Sequence, residues 1–264
     1  MAFFIGNSFC QLCQKNEQTL KKELLFCSEG FKKKGILNPL KFYNSARLPK
    51  SGKIWIIKNS NKIDSIINNS NNLTHLDSIH CLNIDDFENS NHNLNIFEVK
   101  LHLELYKLRP DVNAISHTSS PFTLSSFMNM NKLENLHGEA SLILGDIPVI
   151  ELDRKNLYDN KTKISDKKII EVVTRSSLGE PLRPIRTIII LPKYGVISLG
   201  ACIHESRAFI EILEEWARFN VYSKALSGNN TKIHILSLEQ LRSLGARYAR
   251  SIKFGGRQSL KSQK

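Results

Sequence analysis

Apolar positions change their spacing several times along this chain, and each change marks an element. The pattern predicts a helix over Glu17–Lys34 and a strand over Lys53–Lys58, KIWIIK. A further short strand is predicted over His80–Ile84. Phe97, Leu101, Leu105 and Leu108 then recur at helical spacing, and that run stops at Arg109-Pro110. NAISH, Asn113–His117, reads as a short strand, Phe122–Met130 as a one-sided helix, and Ile147–Glu151 as a strand. Asp166–Arg175 reads as helical. Thr187–Leu191, TIIIL, is a buried strand that turns at Lys193-Tyr194-Gly195 into a second strand, Val196–Leu199. The longest helix runs over His204–Leu226, with Phe209, Ile212, Leu213, Trp216, Phe219 and Val221 available for packing. A shorter helix, Leu238–Ala249, precedes a tail. Strands and helices alternate without an internal repeat, which predicts the α/β class.

Composition narrows the picture. The chain has 264 residues, 41% hydrophobic and 23% charged, enough to bury one large core and too apolar for wholesale disorder. No apolar run approaches the roughly 18 residues of a membrane span. The opening MAFFIGNSFC has no basic leader and too short an apolar stretch for a signal peptide, so a cytoplasmic protein is expected. Thirty-seven Lys and Arg against 25 Asp and Glu give +12, a charge that permits contact with polyanions. No nucleic-acid motif accompanies it, and nucleic acid is not an expected partner. The last 24 residues carry seven basic side chains, no acid and no interleaved aromatic stacking pattern, which reads as a solvated tail. The expected organisation is an N-terminal tail over residues 1–16, one domain over 17–250 and a basic tail over 251–264.

Five cysteines, an odd number, do not form a disulfide framework. Cys10 and Cys13 make one CxxC, and a structural zinc needs four ligands. Cys27, His80 and Cys81 complete such a set only if the fold gathers them. Residues 59–95 hold eleven asparagines, a bias that suits turns between short strands.

The segment FEVKLHLELYKLRPDVNAISHTSSPF carries the most specific pattern. Glu98, His102, Tyr106, Arg109, Pro110, Ala114, His117, Thr118, Ser120 and Pro121 resemble, in order and spacing, the class II aldolase/adducin family. Downstream, Thr187–Leu191, Tyr194-Gly195, Val196–Leu199, Gly200 and a long helix with Glu214 and Ala217 resemble that family's strand, His-Gly turn, strand and Glu-x-x-Ala helix. Upstream, Asn44-Ser45-Ala46-Arg47 resembles its Gly-Asn-x-Ser-x-Arg loop. The resemblance covers roughly residues 17–228. It implies a three-layer α/β/α domain with a mostly antiparallel central sheet, assembled as a homotetramer with sites between subunits.

The same resemblance implies a chemistry and shows where this chain departs from it. Family lyases hold a zinc ion on three histidines, two from a His-x-His turn and one from His-Gly. The zinc acts as a Lewis acid for the substrate carbonyl. Here only His117 stands at a ligand position, with Ser119 and Tyr194 at the other two. A serine hydroxyl is a poor zinc ligand, and a tyrosine binds well only as phenolate. His102 or His137 are candidate replacement ligands, although His102 also suits a packing role. Glu98 stands at the catalytic acid/base position, where it also complements the helix dipole. The phosphate side is weakened, since Ile96 and Phe97 replace small hydroxylated residues and Tyr43 replaces a glycine. Asn44 and Lys58 remain as candidate substrate-binding residues.

These departures predict a pseudoenzyme that expects no cofactor and acts as a binding or assembly module for a protein or a carbohydrate-like ligand. The competing expectation is an active lyase, epimerase or dehydratase with a rebuilt zinc site.

Overall fold

A computed structural model describes residues 16–36, 43–58, 79–85, 96–129, 132–151, 188–192, 194–227 and 234–246. Six strands form one sheet: β1 (Tyr43–Ala46), β2 (Lys53–Lys58), β3 (Ile79–Asn83), β4 (Ala114–Thr118), β5 (Ile188–Leu191) and β6 (Gly195–Gly200). Their order is β3-β2-β1-β4-β6-β5, and every strand pairing is antiparallel. The helices are α1 (Glu17–Lys33), α2 (Ile96–Leu108), α3 (Pro121–Asn129), α4 (Gly138–Leu144) and α5 (Ile203–Ser227), with α6 over 238–246.

Period-two alternation sends the strand residues to opposite faces. Tyr43, Ile54, Ile56, Ile115, Ile197 and Leu199 share one core with Val99, Leu101, Leu105 and Tyr106 of α2. On the other face Ala46, Trp55, Ile57 and Ala114 pack with Leu20, Leu24 and Cys27 of α1. Ile188, Ile190 and Val196 pack there with Phe209, Leu213 and Trp216 of α5. The result is helix, sheet, helix, the three-layer arrangement expected from the sequence.

The structure differs from the sequence reading in three places. Tyr43–Ala46 is a central strand rather than a loop, because its backbone pairs with β2 on one side and β4 on the other. Ile147–Glu151 is not a strand. It contributes one parallel bridge, Val149 to Ile190, on the free edge of β5, and Pro148 has no N–H with which to extend the ladder. Helix α4 was not predicted from its seven residues; the His137 side chain starts it, accepting from the Ala140 amide at 3.2 Å. The expected helix over 166–175, the CxxC and the C-terminal tail lie outside the described residues.

Candidate functional site

Helix α2 turns three polar side chains to one side, since Glu98, His102 and Tyr106 are four residues apart. All three are buried, His102 completely. Across from them β1 offers Ser45 and β4 offers His117, both buried. Ser45 Oγ lies 2.7 Å from His102 Nδ1 and 3.0 Å from the Tyr106 hydroxyl. The His102 and His117 rings lie 6.1 Å apart. Burial, and then His117, hold the His102 imidazole well below its usual 6.5, so it is neutral. Burial likewise pushes the Tyr106 phenol up, against the opposing pull of Ser45 and Arg47.

His117 is held by the β5–β6 turn. Its Nε2 lies 3.1 Å from the Tyr194 carbonyl, which can only accept, so Nε2 carries the proton. Gly195, at φ +133°, presses against the same ring. A Cβ there would meet Nε2 at 2.9 Å and collide with the Thr118 carbonyl. This position requires glycine for both space and backbone conformation.

The strand that carries His117 runs into a braced turn. Thr118 Oγ1 and Ser120 Oγ are 3.0 Å apart. Pro121 occupies the first position of α3, where its missing N–H costs nothing. Glu214 of α5 accepts from the Phe122 and Thr123 amides, each at 2.9 Å, and from the Thr123 hydroxyl at 2.7 Å. The Glu214 of the family-like Glu-x-x-Ala element is thus the N-terminal anchor of α3. Sequence reasoning noted the residue and missed this role, which rests on a contact between segments 91 and 92 residues apart.

Arg47 closes the far end of the site. Its guanidinium donates to the carbonyls of Val112 (3.0 Å), Arg109 (3.3 Å) and Pro110 (3.0 Å), and it sits 4.9 Å above the Tyr106 ring. It secures the turn that feeds β4.

The structure brings together only part of the candidate set. Glu98, His102 and His117 lie on the α2 side of the sheet. Asn44 faces the opposite layer, donating from Nδ2 to Ser28 Oγ of α1 at 3.1 Å. Lys58 ends β2, and its side chain is outside the described residues, as are those of Ile96 and Phe97. Ser119 is half-buried in the turn after β4. His137 is spent on capping α4 and stacks edge-on against Phe219 at 5.5 Å.

The donor set does not fit the three-imidazole zinc site that the resemblance implies. One imidazole is present, its Nε2–H is directed at a backbone carbonyl, and the other positions hold a serine and a tyrosine. Among the described residues no group of three His, Cys, Asp or Glu side chains is placed to share a metal ion. Cys27 is buried and Cys81 exposed, and they build no such group.

A second array of reactive side chain types joins α1 to α5. Cys27 Sγ lies 3.8 Å from His204 Nδ1, and His204 Nε2 lies 2.5 Å from Glu23. It resembles a nucleophile, base and orienting acid only in order. Burial pushes the Cys27 thiol up to about 12, against the pull of Arg207. A protonated thiol with no exposure is a poor nucleophile, so the array serves as an interhelical clasp.

The layered antiparallel sheet with this helix placement is the class II aldolase fold. It superposes on an aldolase II superfamily protein from Pseudomonas syringae with a TM-score of 0.65 at 14% identity, covering 93% of this chain and 94% of that one. It superposes on L-fuculose-1-phosphate aldolase from Thermus thermophilus with a TM-score of 0.58 at 18% identity, covering 79% and 98%. Residues 33–221 match the class II aldolase and adducin N-terminal domain, and the chain belongs to that family. It is 31% identical over 123 residues to L-fuculose phosphate aldolase of Methanococcus vannielii, a match covering 47% of this chain and 59% of that protein. It is 29% identical over 141 residues to human beta-adducin, covering 53% of this chain and 17% of adducin. The chain thus spans only part of the length of each of these curated relatives.

Proposed function

We propose that this chain is a non-catalytic member of the class II aldolase/adducin family that uses the fold as a binding or assembly module. The observation that carries this reading is the state of His117. Its Nε2–H is committed to the Tyr194 carbonyl, Gly195 packs on the ring, and neither Ser119 nor Tyr194 supplies an imidazole. Without a metal, proton abstraction beside a carbonyl lacks its main electrostatic stabiliser. The match to both an aldolase and an adducin leaves room for either use of the fold. A homo-oligomer, a tetramer by family resemblance, is part of this proposal, with a protein or a carbohydrate-like molecule as ligand.

The test is metal content of the purified chain after incubation with zinc and dialysis, paired with an aldol-cleavage assay on phosphorylated and free ketoses. This reading expects no retained zinc and no cleavage. About one zinc per chain, lost in His117→Ala and coupled to cleavage, would overturn it.

A second reading, an active lyase, epimerase or dehydratase with a rebuilt site, is favoured by one observation. Glu98 is retained and buried one helical turn from the neutral His102. Should a turnover be found, Glu98→Gln must reduce it sharply. Unchanged turnover in that variant would remove Glu98 as the acid/base.

A further inference from the structure

The sheet face opposite the candidate site carries a row of polar residues on one rung. Asn44 of β1 pairs with Ser116 of β4, and Ser116 pairs with Ser198 of β6. All three are 0% exposed. They face the α1/α5 layer, since Asn44 bonds Ser28 of α1 and the Ser198 neighbour Val196 packs in the α5 core. Ala46, Ala114 and Val196 beside them on that face are apolar, and Thr118, the other β4 neighbour, spends its hydroxyl on Ser120. Three polar residues therefore interrupt three adjacent strands at the same level.

Each of the three keeps a side-chain oxygen that no group among the described residues satisfies: Asn44 Oδ1, Ser116 Oγ and Ser198 Oγ. The neighbouring bonds fix the polarity of the row. Ser28 Oγ donates to the Leu24 carbonyl at 2.7 Å, so it accepts from Asn44 Nδ2. The Asn44 amide is thereby oriented, and its Oδ1 needs a donor. Ser116 and Ser198 each bring a hydroxyl proton that needs an acceptor, while Ser206 Oγ already donates to the Ser198 carbonyl at 3.0 Å.

We infer that this row is a binding site for internal water, with one molecule between Asn44 Oδ1 and Ser116 Oγ and a second between Ser116 Oγ and Ser198 Oγ. Directly opposed residues on neighbouring strands have Cβ atoms about 4.5–5.5 Å apart, and in this row the three oxygens make no direct bond to one another. A water held by two hydrogen bonds of about 2.8 Å meeting near the tetrahedral angle bridges oxygens about 4.6 Å apart. Water also supplies what the row lacks, a donor for the amide oxygen and acceptors for both hydroxyls. A buried water commonly makes about three bonds to polar groups of this kind. A cation fits less well, since the row holds neutral oxygens and no carboxylate.

A high-resolution crystal structure of the full, unmodified chain tests this. The expected result is two density peaks in the row, each about 2.7–3.2 Å from the two oxygens it bridges. Direct side-chain contacts across the row, a dry gap, or a peak with the short contacts of a metal ion would overturn it. Oxygen-17 water relaxation dispersion gives a solution readout. Ser116→Val, which fills the space with methyl groups, should remove both long-lived waters, whereas an unchanged signal alongside a dry row rejects the site. The outcome is independent of whether the opposite face is catalytic.

Discussion

His102 is the residue whose environment has the clearest measurable consequence. The folded chain holds it neutral, with its pKa well below 6.5, chiefly by burial. Well above pH 6.5 the folded and unfolded chains carry the same proton count at this group. As the pH falls through that value the unfolded chain takes up a proton that the folded chain refuses. Stability should therefore fall as the medium is acidified, by up to about 1.4 kcal/mol per pH unit from this group. Urea denaturation between pH 7 and 5 should show a shallower dependence in His102→Gln, by about one proton. Equal slopes would mean that His102 is not the group responsible. Asp111, held low by its hydrogen bonds to Arg109, acts at lower pH and does not confuse that window. Cysteine chemistry separates at the same scale. Cys81 is exposed, whereas Cys27 and Cys202 are buried. Alkylation of the native chain followed by peptide mapping should modify Cys81 readily and leave Cys27 and Cys202 protected until denaturant is added. Rapid native labelling of Cys27 would contradict the clasp.

At the scale of elements, the link between α5 and α3 is the most exposed to a single change. Glu214 satisfies two backbone amides and one hydroxyl at the start of α3. Bonds to a charged acceptor are stronger than neutral ones, and both Thr123 donors are buried. Glu214→Ala should cost about 3 kcal/mol in unfolding free energy, measured by urea denaturation. Glu214→Gln should recover part of it, because its amide oxygen still accepts. A loss below about 1 kcal/mol in the alanine variant would show that the anchor is replaceable. The effect belongs to the element because the turn bearing Ser119 and Ser120 lies between β4 and α3.

For the whole molecule, charge is the property that reaches furthest. The chain carries +12, and no helix among the described residues is long and apolar enough to cross a membrane. Polyanion contact through Lys and Arg is driven by counterion release and weakens steeply with salt. Retention of a mixed DNA and RNA pool should thus be lost between about 50 and 200 mM salt. Retention that survives the higher salt would argue for a built nucleic-acid surface. The basic tail, a part of that charge, lies outside the described residues.

Local sequence determined most of the elements. Period 3.6 in Phe97–Leu108 and the apolar runs KIWIIK and TIIIL require only neighbouring residues to be read, and α2, β2 and β5 lie there. The family pattern was legible for the same reason, since its motifs are short and ordered along the chain. Tertiary structure decided the rest. Tyr43–Ala46 is a strand because two distant strands pair with it, and its four residues alone carry too little signal. Strand alternation then placed Asn44 and His117 on opposite faces of the sheet. One residue of register exchanges the faces, and only the pairing sets it. The polarity of His117, set by a carbonyl 77 residues away, and the anchoring of α3 by Glu214 are likewise products of packing between elements remote in sequence.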